Sequence, residues 1–287
     1  MHYPPTELVL NDQGKVYHLN LAPEEISDKV ILVGDQKRVD LIASYFDTIE
    51  HASQYREFAC KTGTYKGKRI SALSTGIGTD NIDIVMNELD ALYNIDLKER
   101  KNKAEQKRAE LIRIGTCGIL QPEIPVHGYI LSTHACGLDN VAHFYDVPFS
   151  EEEKALNAAI ETHIQLPNKV HTYLCKSSEE LFQKLSSEQT HEGITITSSG
   201  FYGPQGRQLR LPTKTRDLND RITSFNSNNH KVTNFEMESS ALFALGRALG
   251  HKCATICLGI ANRPNKKFSA GYNDDMMKLI QYVLDRV

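Results

Sequence analysis

The chain has 287 residues, of which 40% are hydrophobic and 24% are charged, as in an ordinary folded globular protein. Its formal net charge of -3 gives no general attraction to nucleic acid or to an anionic membrane. The sequence has no run of about 18 apolar residues, and its first residues lack the basic and apolar segments of a signal peptide. We therefore expect a cytoplasmic protein that binds neither nucleic acid nor membrane.

The six cysteines are spread along the chain and lie mostly in apolar segments. Without a secretion signal or a CxxC pair, such cysteines are expected to be free buried thiols. His134 and Cys136 could offer two metal ligands on one strand face, but no second cluster completes a tetrahedral set. We therefore predict no metal site.

The first 110 residues alternate between strand and helix patterns. In chain order they predict an extended arm (1–28), a strand (30–33), a helix (37 to about 46), a hairpin turn (62–68), a strand (69–74), a helix with an apolar stripe (82–92), and a charged, solvated helix or loop (96–110). Gly34 and Arg38 lie where the first strand gives way to the first helix. That arrangement suits an anion, because backbone N–H groups point out of a helix start.

A short strand predicted at 111–115 carries Arg113 where an apolar residue would be expected. A buried guanidinium costs several kcal/mol, roughly, unless an anion meets it. The strand is predicted to stop at Gly115 and to turn through 116–118, and open α/β sheets bind ligands at such strand ends. Two interpretations stay open here: a phosphate-like oxyanion site, or a structural pair between Arg113 and a carboxylate.

The rest of the chain continues the alternation. It predicts a strand (129–133), a helix that starts at a capping box on Ser150, a strand (170–175), a helix (177–185), a strand (194–199), a loop (199–207), a strand (231–235), a helix (237–249), a strand (253–261) and a last helix from about 273. Such alternation predicts a three-layer α/β/α fold around a central mixed, mostly parallel sheet. Because we find no linker or composition break, we predict one domain over 1–287.

Several predicted strand ends carry polar groups, and each has an ordinary explanation. Glu236 and Glu238 suit the start of a helix, because carboxylates are stabilised there by the helix dipole. Gln205 and Arg207 could be mere loop polarity, and Arg263 could pair with either glutamate.

Taken together, these segments resemble the uridine phosphorylase branch of the nucleoside phosphorylase family. The resemblance runs over most of the chain. It is carried by Val16-Tyr17-His18-Leu19, Gly34-Asp35-x-x-Arg38-Val39, Arg56-Glu57-Phe58, Ser74-Thr75-Gly76-Ile77-Gly78, Arg113-Ile114-Gly115-Thr116-x-Gly118, Phe201-Tyr202-x-x-Gln205-x-Arg207, Asn234-Phe235-Glu236-Met237-Glu238 and Ala261-Asn262-Arg263. The Gln-x-Arg element is the most discriminating, since it separates uracil-binding members from purine-binding ones.

The resemblance implies reversible phosphorolysis of uridine to uracil and ribose 1-phosphate, with a role for each matched residue. Phosphate is expected on Gly34, Arg38, Arg56, Arg113 and Thr116. The ribose is expected on His18, Thr116, Met237 and Glu238, and the base on Phe201, Gln205, Arg207 and Ile260. Gln205, Arg207 and Arg113 are expected to act in catalysis. Arg56 and His18 would act across a subunit interface, which implies a homodimer; assembly of three dimers into a hexamer stays open.

Elementary chemistry fits these roles. Cleavage of a glycosidic bond builds positive charge on the sugar, and a phosphate dianion beneath it offsets that charge before attacking. No metal, cofactor or covalent nucleophile is required. Some members hold a monovalent cation near Glu57 and Ile77, but this chain departs from their pattern at 79–81, so the resemblance leaves that cation open.

Three other functions compete with this interpretation. A purine nucleoside phosphorylase of the same fold would carry an aspartate in the loop after the last core strand, where this chain has Ala261-Asn262-Arg263-Pro264. A hydrolytic nucleosidase would have no use for Arg38 and Arg113. A non-catalytic nucleoside-binding protein could keep the fold without the activity.

Overall fold

Fourteen strands and seven α-helices occur in the computed structural model within the residues it describes, 2–167 and 170–287. The strands are β1 (Lys29–Val33), β2 (Thr48–Tyr55), β3 (Phe58–Tyr65), β4 (Lys68–Ser74), β5 (Ile95–Asp96), β6 (Lys101–Asn102), β7 (Glu110–Ile119), β8 (Tyr129–Gly137), β9 (Tyr173–Lys176), β10 (Thr190–Thr197), β11 (Asn226–Ser227), β12 (His230–Glu236), β13 (Lys252–Asn262) and β14 (Lys267–Phe268). The helices are α1 (Gln36–Ala43), α2 (Thr79–Asn94), α3 (Glu151–Ile164), α4 (Glu179–Leu185), α5 (Leu218–Ser224), α6 (Ser239–Leu249) and α7 (Asn273–Leu284).

The central sheet is mixed, and the predicted α/β fold is confirmed. Its strand order is β11-β12-β10-β8-β13-β7-β1-β4-β3-β2. Strand β1 runs parallel to both neighbours, β4 and β7, while β13 runs parallel to β7 and antiparallel to β8. The carboxyl ends of β1, β7 and β13 therefore meet at one edge of the sheet.

Helices cover both faces of this sheet, because successive residues of a strand point to opposite sides. In β1, Val30 and Leu32 pack in a buried cluster with α2 and α6. Ile31 and Val33 pack on the other side in a cluster with α1, α4 and α7. The same alternation in β7 brings Arg113 to the α6 side, since Ile112 and Ile114 belong to the opposite cluster.

Strand β7 is longer than predicted, and the turn expected at 116–118 is wrong. The strand runs on to Ile119 because it stays paired with β13, where Thr116 lies opposite Leu258. At its end Gly118 also pairs with Phe235 of β12. This pairing closes β12, β10, β8, β13 and β7 into a ring of five strands, which pattern reasoning did not anticipate.

Several boundaries also differ from the sequence predictions. Helix α1 stops at Ala43, and α6 starts at Ser239 rather than at 237. Strand β2 was missed because most of its residues are exposed and give no apolar alternation. The helix or loop predicted at 96–110 is a loop, and it includes the second strand of a small hairpin, β5 with β6.

The segment before β1 packs on the domain instead of extending from it. Val16, Leu19 and Leu21 are fully buried in the cluster that holds α2 and α6. The predicted capping box is confirmed: Ser150 Oγ accepts from the Glu153 N–H at 3.2 Å, and the Glu153 carboxylate accepts from the Ser150 N–H at 2.8 Å.

The expected free thiols are confirmed, since all six cysteines are unbridged and buried. None of the helices in 2–167 and 170–287 has the length and hydrophobicity that crossing a bilayer requires.

Candidate active site

A cavity of about 270 Å³ opens at the sheet edge where β1, β7 and β13 end. Ten of the twelve residues predicted for the site line it: Gly34, Arg38, Arg113, Thr116, Phe201, Gln205, Arg207, Met237, Glu238 and Ile260. They come from five separate stretches of the chain. The fold therefore brings most of the predicted site residues, though not all of them, into one cleft.

His18 and Arg56 lie outside this cavity, on the surface of the same chain. The His18 Nδ1 atom is 2.6 Å from a carboxylate oxygen of Glu88 in α2. The Arg56 guanidinium is exposed and lies 5.4 Å from the ring centres of both Tyr17 and Tyr55. Since Tyr17 adjoins His18 in the chain, these two predicted residues share one surface region.

Arg113 is buried at the floor of the cavity between two carboxylates. Its Nη2 donates a hydrogen bond to Glu238 Oε2, and its Nη1 lies 3.6 Å from Glu236 Oε2. Burial lowers the pKa of Arg113, but the charges of Glu238 and Glu236 outweigh burial and raise it above its usual value. The structural carboxylate pair that sequence analysis had left open is therefore present, and it lies inside the cavity that holds the predicted phosphate residues.

The two glutamates are held differently. Glu236 accepts hydrogen bonds from the Thr197 hydroxyl and from the N–H groups of Glu238 and Ser239, at 2.5 to 3.1 Å. Glu238 accepts from the Gly78 N–H at 2.8 Å, just before α2. Burial raises the pKa of Glu238; Arg113 opposes that rise, and the charge of Glu236 adds to it. Glu236 is thus a fixed support, while Glu238 is a basic carboxylate at the cavity wall.

The guanidinium of Arg113 folds over Gly115, two residues further along β7. A Cβ atom at Gly115 would lie 2.0 Å from Arg113 Nη1 and 2.8 Å from Cys257 Sγ. Real Cβ atoms do not approach other atoms so closely, so any larger residue would push Arg113 away. Glycine at this position is therefore required by the close approach of the guanidinium.

Arg38 adds a second positive charge beside Arg113. Its Nη1 donates to the carbonyl oxygen of Ile114 at 3.2 Å. Burial lowers the pKa of Arg38, and the neighbouring charge of Arg113 lowers it further. The lowered pKa shows that Arg38 is partly desolvated and lies close to another positive charge. A bound anion would relieve both effects, so this part of the cavity favours an anion.

Arg207 is fixed at the other end of the cavity. Its Nη1 donates to the Phe201 carbonyl at 2.6 Å and also to Gln205 Oε1, and its guanidinium stacks 3.8 Å from the Phe201 ring centre. Burial lowers the pKa of Arg207. The Phe201–Arg207 loop therefore brings an aromatic ring, an amide and a guanidinium together in the cavity lining.

Arg263 holds the backbone of this loop in place. The sequence had allowed it to pair with a glutamate, and that pairing is wrong. Its Nη1 donates to the Gln205 carbonyl at 2.7 Å. Burial and the nearby charge of Arg207 lower the pKa of Arg263 to about 10. Three arginines, Arg38, Arg207 and Arg263, thus have pKa values below the ordinary one around a single cleft.

Sequence reasoning left out several residues that line the cavity: Asp35, Ile77, Cys117, Gly118, Phe235, Glu236, Ala261 and Phe268. Four of these, Ile77, Cys117, Phe235 and Ala261, lie within the motifs but are apolar, and a sequence pattern assigns apolar residues to the core. Asp35 and Glu236 also lie within the motifs, but no role in the site was predicted for them. Phe268 gives no such signal: it is 75% exposed on β14, a two-residue strand that the pattern does not reveal.

Comparison with known proteins shows which family the chain belongs to. The profile of the family described as "Phosphorylase superfamily" matches residues 28–282. The chain belongs to this superfamily. A solved Trypanosoma brucei nucleoside phosphorylase, described as showing uridine phosphorylase activity, is similar with a TM-score of 0.89 and 30% identity, covering 97% of this chain and 98% of that one.

The curated relatives of the chain include both uridine phosphorylases and purine nucleoside phosphorylases. A uridine phosphorylase from Thermococcus kodakarensis is 29% identical over 260 residues, which are 90% of this chain and 81% of the relative. A purine nucleoside phosphorylase of the DeoD type from Geobacillus stearothermophilus is 27% identical over 242 residues, 83% of each chain. The protein is thus a nucleoside phosphorylase family enzyme, and these comparisons leave its base preference undecided.

Replacing Gly115 with alanine tests the packing of Arg113. Because the new Cβ must displace a buried guanidinium from Glu238, we expect Gly115→Ala to lower the free energy of unfolding by about 1–3 kcal/mol. Urea denaturation measures that loss. Gly271→Ala is the matched control, since a Cβ at Gly271 would meet nothing within 4 Å. Equal stability of the two variants would show that Arg113 is not tightly packed against Gly115.

Proposed function

We propose that this protein catalyses the reversible phosphorolysis of uridine to uracil and ribose 1-phosphate. The observation that carries the proposal is the base end of the cavity, where Gln205 and Arg207 are hydrogen-bonded to each other and Arg207 stacks on Phe201. Uracil has two carbonyl oxygens and a ring N–H along its edge. An amide beside a guanidinium supplies both the donors and the acceptor that such an edge needs.

A purine is recognised less well by these groups. The 261–264 segment after β13 reads Ala261-Asn262-Arg263-Pro264 and offers no carboxylate to protonate a purine N7. Arg263 instead donates to the Gln205 carbonyl and adds positive charge to this end of the cavity. Positive charge favours a leaving group that departs as an anion, as uracil does when its bond to the sugar breaks.

Inorganic phosphate is proposed to bind at the opposite end. Arg38 and Arg113 approach each other closely enough for the charge of Arg113 to lower the pKa of Arg38. Guanidinium groups match phosphate oxygens with paired donors, so two of them can hold a dianion in one orientation. Gly34 and Thr116 line the same part of the cavity and are proposed to add an N–H and a hydroxyl donor.

The ribose is proposed to lie between these ends, against Met237 and Glu238. Glu238 accepts from Arg113, from the Gly78 N–H and, at 3.3 Å, from the Met237 N–H, so about one of its four acceptor positions is open to a sugar hydroxyl. A second hydroxyl is proposed to replace the long bond from the Met237 N–H. The raised pKa of Glu238 makes it a stronger acceptor. A deoxyribose would leave one of these acceptor positions unmet, so we expect ribonucleosides to bind better.

These positions suffice for the reaction without a protein nucleophile. As the bond between C1′ and the uracil nitrogen breaks, its electron pair moves into the uracil ring, and C1′ becomes positively charged. A phosphate oxygen then forms the new bond to C1′. Arg207 binds the departing base more strongly as negative charge grows on it, so the arginine stabilises the transition state more than the substrate.

Uridine absorbance tests the proposed reaction. We expect loss of uridine only when phosphate is present, and slower loss of inosine under the same conditions. Phosphate-independent loss would mean a hydrolase, preference for inosine would mean a purine enzyme, and no loss of any nucleoside would mean a binding protein; each outcome would contradict the proposal.

The active assembly is proposed to be a homodimer in which Arg56 and His18 reach the partner's cavity. Both lie outside the cavity of their own chain and next to each other through Tyr17. Arg56 is exposed, so its charge is free to meet a phosphate bound by another subunit. Exposed apolar residues of the same N-terminal half, including Ile49 and Tyr55, suit burial between subunits.

Mixing two impaired variants tests whether Arg56 acts in the partner's cavity. Arg207→Ala removes a transition-state donor and should lower the rate roughly 100- to 1000-fold. Arg56→Ala should be impaired in phosphate binding. After the two variants are denatured together and refolded, sites with an intact Arg207 from one chain and an intact Arg56 from the other should restore roughly a quarter of wild-type activity.

Each variant refolded alone is the control for this experiment. If the mixture is no more active than the average of the two variants, Arg56 does not act across the interface, although phosphorolysis itself could still be intact.

A further inference from the structure

A second cavity, of about 320 Å³, lies at the opposite edge of the sheet, where β7 and β13 begin. We name it the basic cavity, because Arg108, Lys176, Arg247 and Lys252 line it and no carboxylate does. It is separated from the candidate active site by the length of β7 and β13. Nothing in the proposed reaction uses these four cations.

The four cations are not fully neutralised by their neighbours. Arg247, Lys252 and Lys176 each bind one or more glutamates at 2.6 to 2.8 Å, but these glutamates lie outside the cavity lining. Arg108 is exposed and makes no ion pair with any residue in the described parts of the chain. Lysine and arginine carry three and five N–H donors, so the paired ones keep donors for a further anion.

The loop between β9 and α4 forms one wall of the basic cavity through Ser177 and Ser178. The Ser177 N–H donates to the Thr133 carbonyl at 3.0 Å, and the Ser178 N–H donates to the Cys253 carbonyl at 2.8 Å. These bonds fix the backbone next to Lys176, so this wall of the cavity is formed before any ligand binds.

We propose that the basic cavity binds a phosphate-bearing anion, either a phosphate monoester or a polyphosphate. Charge-assisted hydrogen bonds from arginine and lysine are the strongest that a phosphate group can accept in a protein, and arginine adds paired donors. The cavity is slightly larger than the candidate active site, so it has room for more than one phosphate group. This proposal does not depend on the identity of the nucleoside.

Isothermal titration with inorganic tripolyphosphate tests the proposal on the whole protein. The double variant Arg108→Gln/Lys176→Gln removes two exposed cations of the basic cavity and should bind the probe at least about tenfold more weakly than wild type. The matched control Lys154→Gln/Lys278→Gln changes net charge equally, since both lysines are exposed and pair with a carboxylate three residues away. We expect the control to bind within about twofold of wild type at constant ionic strength.

Two results would overturn the proposal. If both double variants bind tripolyphosphate equally weakly, the probe responds to overall charge. If both bind it as wild type does, tripolyphosphate binds elsewhere, for example to the arginines of the candidate active site. If the double variant is less stable, the single variant Arg108→Gln takes its place. Arg108 is exposed and makes no ion pair within the described residues, so its loss should weaken tripolyphosphate binding about threefold while keeping the unfolding temperature.

Discussion

The candidate active site depends on one buried ion pair, between Arg113 in β7 and Glu238 just before α6. Burying an unpaired guanidinium would cost roughly several kcal/mol, and the same holds for an unpaired carboxylate. Each of these two charges is therefore stabilised in the interior by the other. Glu236 is held by hydroxyl and backbone donors and shares the same guanidinium. Two carboxylates and one arginine are thus fixed relative to each other before any substrate arrives.

This pair divides the cavity into two chemically different ends. Beside Arg113, Arg38 supplies a second cation with a lowered pKa, which favours a bound anion. At the other end, Arg207 is oriented by Phe201 and Gln205, and Arg263 holds the loop from below. Phosphate and base are therefore proposed to bind at separate groups, with Glu238 between them. Because these groups are already in position, the proposed reaction needs little rearrangement of them.

Much of this fold could be predicted from local patterns. Apolar runs gave β1 and the start of β7, and the capping box on Ser150 gave the start of α3. The closing pair between β7 and β12 could not be predicted, because it joins residues more than 100 positions apart in the chain, such as Gly118 and Phe235. Edge strand β2 was missed for a different reason: its mostly exposed residues leave no apolar period to detect.

The site shows the same limit. Motif resemblance selected ten residues that line one cavity, but not how they are bonded to each other. Whether Arg113 binds a glutamate or an anion was left open by sequence, and the structure shows that it binds Glu238 beside a cavity. Sequence left open whether Arg263 pairs with a glutamate; it donates to the Gln205 backbone instead, a contact that depends on how a distant loop folds.

A crystal structure with phosphate and a uridine analogue that has an uncleavable carbon–carbon glycosidic bond tests this arrangement most directly. We predict phosphate in contact with both Arg38 and Arg113, the ribose hydroxyls on Glu238, and the uracil edge on Gln205 and Arg207. A complex in which the phosphate lies away from Arg113, or in which the base faces away from Arg207, would contradict it.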